Sequence, residues 1–344
     1  MGPGYGESVV VHLGQGEWLV VDSCVDTADP QKPVAPLRYL QQLGVRVERA
    51  VKFIVTSHWD DDHVKGIADI VEACTDARFV CSHVFPSEKF SCFAQAMSIG
   101  SAATDGGNVK NMRRVLELLY ARGKPIYRAG PARTLHPNPK IQSWSPSDKD
   151  ETEFLKHVAQ MHPRAGQGMR KAFLGSGNLT SVVLSIDWPE SSVLLAADME
   201  SSSDNLRGWN AVVSEAQRIG WTPGALVKIP HHGSSTGHDE RMWQILLSPE
   251  PISVVAPFGR GPIAGRPPKS SDVTRIRNKS GAMFLTARHS KPKSSKLDVA
   301  VKRSLREGMI ALTSQSSPIG IVRHRKQIGG QWGHELFGAA TRVK

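Results

Sequence analysis

The sequence lacks the features that would place the protein in a membrane or in an oxidising compartment. It contains no run of eighteen apolar residues and no basic, hydrophobic leader, so we expect neither a membrane span nor a signal peptide. Its 4 cysteines form no CxxC pair and lie mostly in hydrophobic stretches, which predicts buried, reduced thiols. Because 40% of the 344 residues are hydrophobic, we expect a globular protein, and the lack of an apolar run and of a leader predicts that it is cytoplasmic.

Acidic residues are scarce in the last quarter of the chain. Residues 259–344 carry 18 Lys and Arg against 4 Asp and Glu, a formal charge of +14, whereas residues 1–258 carry 25 against 28, a charge of −3. Clustered cations neutralise phosphates, so this asymmetry favours a nucleic-acid partner over the alternative of a basic, solvated surface or tail. Seven of these cations crowd one stretch: Arg275, Arg277, Lys279, Arg288, Lys291, Lys293 and Lys296.

The segment Thr56–His63 combines two histidines with three aspartates. Val51–Thr56 is predicted to be a buried strand, and apolar residues at helical spacing from Ile67 to Cys74 predict a helix that begins directly after the segment. Asp61 alone is explained by the favourable negative charge at a helix start, but two interleaved histidines are not. Imidazole nitrogens and carboxylate oxygens bind divalent ions, so we predict a metal site formed by His58, Asp60, Asp62 and His63.

Two later strand ends carry further candidate ligands. Asp198 ends a predicted strand, and the pair His231-His232 follows the predicted strand Leu226–Ile229. An aspartate at a strand end is usually a turn residue, whereas adjacent histidines before Gly-Ser have little structural purpose. Loops at strand ends often carry functional sites, so we expect these residues to join the first cluster.

Predicted strands and helices occur in both halves of the chain, with no clear linker between them. This pattern predicts an α/β fold of two packed mixed β-sheets with helices on both outer faces, in a single domain over residues 1–344. Residues 85–177 are predicted to be an insertion with a helical region over the site, and residues 290–344 a basic C-terminal segment. The predicted elements include hairpins at 8–22 and 181–197, helices at 37–43, 109–121, 151–161 and 272–279, and strands at 78–81, 252–256 and 282–286.

The order of these motifs resembles the metallo-β-lactamase superfamily, in which the loop pattern H-x-H-x-D-H precedes a distant Asp and a late His. The sequence is most similar to the hydrolase domain of the ComEC/Rec2 DNA-uptake proteins, where the cluster often reads H-x-D-x-D-H, as residues 58–63 do. Four further segments stand in that family's order: Gly14-Gln15-Gly16 before Asp22, Asn178 to Ser181, Leu194 to Asp198, and Lys228 to Ser234. The likeness covers roughly residues 5–290 outside the insertion and implies the αββα sandwich of the superfamily.

The resemblance also implies a centre of two divalent ions. His58 and Asp60 would bind one ion, Asp62, His63 and either His231 or His232 the other, and Asp198 would bridge them. Asp62, His63 and Asp198 would be the catalytic residues. Asn178 stands where many members supply a third histidine, which leaves the first site incomplete.

The donor set and its surroundings lead to two further expectations. Asp60 stands where a His-rich zinc site has an imidazole, and this carboxylate shifts the preference of the donor set toward Mn²⁺ or Mg²⁺. The expected ions are therefore Mn²⁺ or Zn²⁺, with Mg²⁺ as a further candidate. Arg266 replaces the histidine of the family's G-H-P segment and could hold a phosphate. The full set of expected substrate contacts is Lys65, Asn178, Lys228, Ser234 and Arg266.

Three functions are compatible with this sequence. The leading hypothesis is a nuclease or phosphodiesterase that cleaves DNA with metal-activated water, free or with other protein subunits, in a bacterial system such as anti-phage defence. The alternative is a metallohydrolase of a small ester, amide or thioester, because one fold supports several chemistries. The third is a non-catalytic or partner-activated protein in which Asn178 and Arg266 mark a degenerate site.

Overall fold

Helices and strands alternate through most of the chain. The computed structural model describes residues 1–2, 6–82, 107–161, 177–258, 266–287 and 319–344. Within those ranges the α-helices are α1 Ala35–Gln42, α2 Val47–Ala50, α3 Asp61–Val64, α4 Ile67–Ala73, α5 Gly107–Ala121, α6 Asp148–Met161, α7 Gly208–Ile219 and α8 Ser270–Arg277. Short 3₁₀ turns lie at Gly177–Thr180, His231–Gly233 and Ser235–Gly237, and a π-helical turn at Met242–Leu246.

The first sheet begins with a hairpin and continues with parallel strands. In spatial order it contains β1 Val9–Gly14, β2 Glu17–Val21, β3 Val51–Thr56, β4 Arg78–Ser82 and β5 Ile126–Ala129. β1 and β2 are antiparallel, and their turn contains Gln15 and Gly16 at positive φ, as a tight hairpin requires. The other neighbours in this sheet are parallel. The predicted first hairpin and the strand Val51–Thr56 are therefore confirmed.

The second sheet is larger and also mixed. In spatial order it contains β15 Thr341–Val343, β12 Ala282–Leu285, β11 Leu247–Val255, β10 Gly224–Lys228, β9 Ser191–Leu195, β8 Leu184–Trp188, β7 Lys140–Ser143 and β6 Arg133–Pro137. Neighbours from β9 to β12 are parallel, and the outer pairs are antiparallel. A separate hairpin joins β13 Ile321–Arg325 to β14 Gly333–Phe337.

Successive side chains along the strands point to opposite faces of each sheet, so the buried residues form three clusters, one between the sheets and one on the outer face of each sheet. Leu19 and Val55 of the first sheet share an inner core with Leu184 and Leu195 of the second. The opposite face of the first sheet packs against α1, α4, α5 and α6, and the opposite face of the second packs against α7 and α8. The order is helix, sheet, sheet, helix, which confirms the predicted α/β sandwich.

The carboxyl ends of strands from both sheets meet at one edge of the sandwich. Asp22 follows β2, His58 follows β3, Asp198 follows β9, and the His231-His232 pair follows β10. Ligands bind at this end of parallel strands in many α/β folds, because the loops there are free to vary. The fold thus brings residues that lie far apart in the sequence to a common edge.

Several elements differ from the sequence prediction. The helix predicted from Ile67 to Cys74 is confirmed as α4, but an additional short helix, α3, begins within the cluster at Asp61, and Gly66 at φ 86° separates the two. Helix α7 was not predicted, although its buried Trp209, Val212 and Ala216 have helical spacing. Residues 107–161 of the predicted insertion supply β5 to the first sheet and β6 and β7 to the second, while the division of the chain into domains stays a prediction.

The remaining expectations concern the cysteines, the second half and membrane spans. Cys24, Cys74 and Cys81 are buried free thiols, as predicted, and Cys92 lies outside the described residues. The described end of the basic segment forms β13, β14 and β15, and β15 pairs with β12. Among the described residues, no helix has the length and apolar character needed to cross a membrane.

The outer face of the first sheet gives a prediction about stability. Ile54 on β3 is 1% exposed in the cluster that packs against the helices. We expect Ile54→Ala to lower the free energy of unfolding in urea by about 2–5 kcal/mol, because it removes buried methyl groups and leaves a cavity. Ile219→Ala is the matched control, since Ile219 is 39% exposed at the end of α7. Equal losses in both variants would contradict the assigned layers.

Candidate metal centre

Four side chains from three strand ends converge at the common edge. Asp62, His63, Asp198 and His232 each present a ligand atom, and these atoms all lie within 4.8 Å of one another. The Nε2 atom of His232 is 3.1 Å from Asp62 Oδ2 and 3.2 Å from Asp198 Oδ2. The Nε2 atom of His63 is 3.4 Å from Asp198 Oδ2 and 3.8 Å from Asp62 Oδ2. Two imidazoles and two carboxylates therefore surround one small space.

The carboxylate of Asp22 controls the orientation of His63. Asp22 Oδ2 lies 2.8 Å from His63 Nδ1, and both side chains are buried. A carboxylate at this distance accepts a hydrogen bond, so Nδ1 carries the hydrogen and Nε2 faces the cluster. Such a partner on the outer nitrogen is typical of metal-binding histidines, because it fixes the tautomer and the ring orientation.

The same carboxylate reaches His58 through a serine. Ser57 donates its backbone N–H to Asp22 Oδ1 at 2.7 Å and its hydroxyl to Asp22 Oδ2 at 2.6 Å. The Ser57 hydroxyl lies 3.0 Å from His58 Nδ1 and can accept a hydrogen bond from it. The outer nitrogen of His58 is thereby held, and its Nε2 atom is left 3.7 Å from Asp60 Oδ2.

His232 is oriented by a backbone carbonyl. Its Nδ1 lies 2.8 Å from the Ala256 carbonyl oxygen at the end of β11, so Nδ1 donates and Nε2 faces Asp62 and Asp198. His58, His63 and His232 are each at most 3% exposed. All three therefore direct Nε2 inward while Nδ1 is held from outside.

These buried groups differ strongly in proton affinity. Burial alone would lower the pKa of His63, but the charges of Asp198, Asp62 and Asp22 outweigh burial and hold that pKa well above its usual value. Burial would likewise lower the pKa of His232, but the charge of Asp198 and hydrogen bonds to Asp198 and Asp62 raise it to about 10. Burial, together with the charge of His63, lowers the pKa of His58 to about 3. In the metal-free protein near neutral pH, protons therefore sit on His63 and His232, and His58 is neutral.

The two carboxylates of the cluster have the complementary shifts. Burial opposes ionisation of Asp198, but the positive charges of His232, His63 and Lys228 hold its pKa well below the usual value. Burial also opposes ionisation of Asp62, but the positive charges of His63 and His232 outweigh burial and lower the pKa of Asp62 as well. Both carboxylates are therefore ionised and can act as ligands.

The donor set fits a divalent ion. Buried Nε2 atoms of His58 and His63 have no hydrogen-bond partner among the described residues, which is costly unless another group occupies the space they face. Nitrogen and carboxylate oxygen donors suit Zn²⁺ and Mn²⁺, and such donors bind ions only when the imidazoles are deprotonated. Asp62, His63, Asp198 and His232 would hold one ion, and His58 with Asp60 would contribute to a second.

His231 lies outside this cluster, although the sequence left it and His232 as equal candidates. Its Nδ1 lies 2.8 Å from both Glu200 Oε1 and Thr236 Oγ1, and its Nε2 lies 3.4 Å from Asn178 Nδ2. Both histidines have positive φ, 44° and 52°, so the backbone turns sharply between them. The adjacent rings are thus directed to different partners, and His232 is the one that joins the cluster.

Lys228 occupies a position that does not favour the predicted substrate contact. It is 5% exposed, and its ammonium contacts the Ala197 carbonyl oxygen at 2.7 Å, Asp198 Oδ1 at 3.3 Å and the carboxylate of Glu7. An ammonium has three donors, and these contacts use them inside the protein. Lys228 therefore supports Asp198 and leaves Asp198 Oδ2 directed to the cluster.

The other predicted substrate contacts are described by their local surroundings. Asn178 is the second residue of a 3₁₀ turn and lies beside His231. Ser234 accepts a hydrogen bond from Thr236 N in the turn that follows it. Lys65 follows α3, and Arg266 precedes Pro267, whose carbonyl oxygen accepts from Phe258 N at 3.0 Å. Phe258 packs against His232 with ring centroids 5.2 Å apart. Their roles in substrate binding stay predictions.

Four residues that shape the centre are not predicted as functional from the sequence. Asp22, Ser57 and Glu7 are buried beneath it, and Glu200 holds His231. The position of Asp22 at a strand end is part of the family resemblance, and Ser57 directly precedes the first histidine. No sequence pattern marks Glu7 as part of the centre, because its partner Lys228 lies more than two hundred residues away in the sequence.

Similar proteins are found among solved structures alone. No family model matches the chain, and no curated protein matches it. The hydrolase AbOPH of the beta-lactamase superfamily is 13% identical with a TM-score of 0.35, over 61% of this chain and 66% of that chain. A HARLDQ-motif mutant of a metallo-beta-lactamase from Cronobacter sakazakii is 14% identical with a TM-score of 0.33, over 65% of this chain and 74% of that one.

A third similar structure is AidC, described as a dizinc quorum-quenching lactonase. It is 12% identical with a TM-score of 0.33, over 61% of this chain and 65% of that chain. The match thus spans slightly less than two thirds of AbOPH and of AidC. Because these TM-scores are low, the layer order and the ligand geometry rest on this chain's own residues.

The hydrogen bonds of Asp22 predict an effect on metal binding. We expect Asp22→Asn to weaken binding of Zn²⁺ about 10–100-fold by calorimetry, because an amide cannot accept from both Ser57 and His63 as the carboxylate does. Asp26→Asn is the matched control, since Asp26 is buried nearby and accepts from Ala28 N at 3.1 Å. Unchanged affinity in the Asp22 variant would contradict its assigned role.

The raised pKa values of His63 and His232 predict that metal affinity increases with pH. Below the pKa of about 10 for His232, a proton occupies the nitrogen that must bind the ion, and this proton has to leave. We therefore expect Zn²⁺ affinity to rise between about pH 6 and pH 9, with proton release seen by calorimetry in buffers of different ionisation enthalpy. Affinity that is constant over this range would contradict the assignment.

Proposed function

We propose that the protein is a metal-dependent hydrolase whose centre is formed by Asp62, His63, Asp198 and His232. The observation that carries this proposal is the shared orientation of three buried imidazoles, each with Nδ1 held and Nε2 directed inward. A core packed for stability alone has no use for the buried Nε2 atoms of His58 and His63, which have no hydrogen-bond partner among the described residues. His58 and Asp60 extend the same donor set toward a second ion.

Some residues of the centre would hold the metal ligands in place, and Asp60 would lie on the side where substrate enters. A bound divalent ion would lower the pKa of water and stabilise negative charge on the substrate oxygens. Asp22, Ser57 and the Ala256 carbonyl keep the imidazoles in place, and Lys228 fixes one oxygen of Asp198. Asp60 is on the open side, with 43% of its side chain exposed, so substrate would approach there.

Within that class we propose a phosphodiesterase that acts on DNA. Carboxylates make up half of the four-residue centre, and such donors suit Mn²⁺, an ion that binds phosphate oxygens. The +14 charge of residues 259–344 also supports a polyanionic substrate. Four of the seven clustered cations, Arg288, Lys291, Lys293 and Lys296, lie outside the described residues.

The described cations of that cluster favour a second candidate. Arg275 donates to the Gly233 carbonyl oxygen at 2.8 Å and contacts Asp272, Arg277 donates to the Ser280 carbonyl oxygen, and Lys279 pairs with Glu240. These contacts tie the cations to the protein itself. Hydrolysis of a small ester, amide or thioester, which needs no extended basic surface, is therefore the second candidate.

A cleavage assay tests the proposal. Purified protein is incubated with single- and double-stranded DNA, RNA and a panel of small esters and thioesters in Mn²⁺, Mg²⁺ or Zn²⁺. We expect metal-dependent cleavage that His232→Ala reduces at least about 100-fold, since it removes a ligand and one of the positive charges beside Asp62 and Asp198. His238→Ala is the matched control, because His238 pairs with Glu240 and Trp243 outside the centre.

The salt dependence separates the two candidates. Cleavage of DNA should weaken steeply as salt rises, because binding releases counterions from phosphates, whereas turnover of a small ester should change little. No metal-dependent cleavage of any of these substrates, with bound metal verified, would contradict the proposed function.

A further inference from the structure

One side of the sandwich, where β5 of the first sheet is followed by β6 of the second, is built from a segment that has basic residues and no acidic ones. Residues 118–147 contain no Asp or Glu, and their cations are Arg122, Lys124, Arg128, Arg133 and Lys140. Arg122 and Lys124 donate to backbone carbonyl oxygens at and just after the end of α4, so they support the packing of that helix. The other three cations lie on β5, β6 and β7.

The charges on this side of the molecule have few partners. Arg133 and Lys140 are exposed, and neither forms an ion pair with a carboxylate among the described residues. Asp187, opposite Lys140 on β8, instead accepts a hydrogen bond from the Ser192 hydroxyl at 2.5 Å. Arg78, at the start of β4, is likewise exposed and has no carboxylate partner in the described ranges. Cations that lack acidic partners attract a polyanion.

Tyr127 adds an aromatic ring beside these cations. It is 39% exposed on β5, and the guanidinium carbon of Arg78 lies 5.5 Å from its ring centroid and 5.9 Å from that of Phe53. The ring of His136 on β6 lies 5.6 Å from the Phe53 ring, so this surface continues from one sheet to the other. Surfaces for single-stranded nucleic acids combine cations for the phosphates with aromatic rings on which unpaired bases stack.

This surface begins at the edge of the sandwich that carries the candidate metal centre. Arg133 starts β6 and pairs in register with Ser143, which pairs with Leu184, and Leu184 pairs with Leu195. Leu195 ends β9, three residues before Asp198. Arg133 is therefore level with the end of β9 and about 14 Å from it, since three strand spacings separate them.

We propose that Arg78, Tyr127, Arg133 and Lys140 form a binding surface for a single-stranded segment of the DNA substrate, and we call this surface the flank. The inference rests on the proposed function and assigns part of the path that the substrate takes outside the metal centre. An unpaired base stacks on Tyr127, and the cations contact phosphates. A small ester bound at the centre would not reach the flank, whereas a nucleic-acid strand is long enough to cover both.

The test is the affinity for a labelled oligothymidylate, measured by fluorescence anisotropy over a series of salt concentrations, in EDTA so that no cleavage occurs. Arg133→Gln and Lys140→Gln should each reduce the slope of log affinity against log salt by about 0.7, because each removes one phosphate contact. Tyr127→Ala should weaken binding at least about fivefold at every salt concentration and leave the slope unchanged, because stacking involves no counterion release. A general loss of folding would not separate slope from affinity in this way.

Two variants elsewhere on the surface are the matched controls. Arg218→Gln removes an exposed cation of α7 that pairs with Glu215, and Tyr120→Ala removes a ring on α5 that is 90% exposed. Both should bind the oligonucleotide as the unchanged protein does. A labelled duplex of the same length should bind more weakly than the single strand, and its affinity should not depend on Tyr127, because its bases are already stacked.

The outcomes separate this inference from the function on which it rests. Flank variants that match the controls in affinity and in slope would overturn the inference, and so would a duplex that binds more tightly than the single strand. In either case metal-dependent cleavage of DNA would leave the proposed function standing. Binding through the flank without metal-dependent cleavage of any substrate would support the flank and contradict the proposed function.

Discussion

The carboxylate of Asp22 holds the base of the candidate centre together. It accepts hydrogen bonds from the backbone and hydroxyl of Ser57 and from His63 Nδ1, and through Ser57 it reaches His58. Asp22 has a φ of 57°, a conformation that turns the chain at the end of β2 and is uncommon for residues other than glycine. One turn residue therefore orients the rings of both His58 and His63. The register of β2 against β3 determines whether Asp22 lies close enough to Ser57 and His63 to do so.

Charge balance is the second constraint on this centre. Buried carboxylates are costly unless a cation or hydrogen-bond donors compensate them, and each one here has such a partner: Glu7 and Asp198 contact Lys228, Asp22 contacts His63, and Asp62 contacts His232. In the metal-free protein, protons on the imidazoles supply part of this compensation. A divalent ion would replace those protons without leaving an unpaired charge. The buried network is thus compatible with both states.

The sequence predicted the elements that follow regular apolar patterns and the residues that lie close together in the chain. Strand Val51–Thr56 and the cluster after it have both properties. Edge strand β5 escaped prediction because Tyr127 and Arg128 face solvent in a strand of four residues. The choice between His231 and His232 was not predictable, because it depends on two consecutive positive φ angles. Nor was the buried position of Lys228, which depends on Glu7 near the start of the chain.

The proposed centre requires that one divalent ion binds between Asp62, His63, Asp198 and His232. The most direct measurement is an anomalous difference map from a crystal of the protein grown with Zn²⁺, recorded on both sides of the zinc absorption edge. We expect a peak about 2.0–2.2 Å from the Nε2 atoms of His63 and His232 and from carboxylate oxygens of Asp62 and Asp198. An ordered, correctly folded centre with no anomalous peak between these four side chains would contradict it.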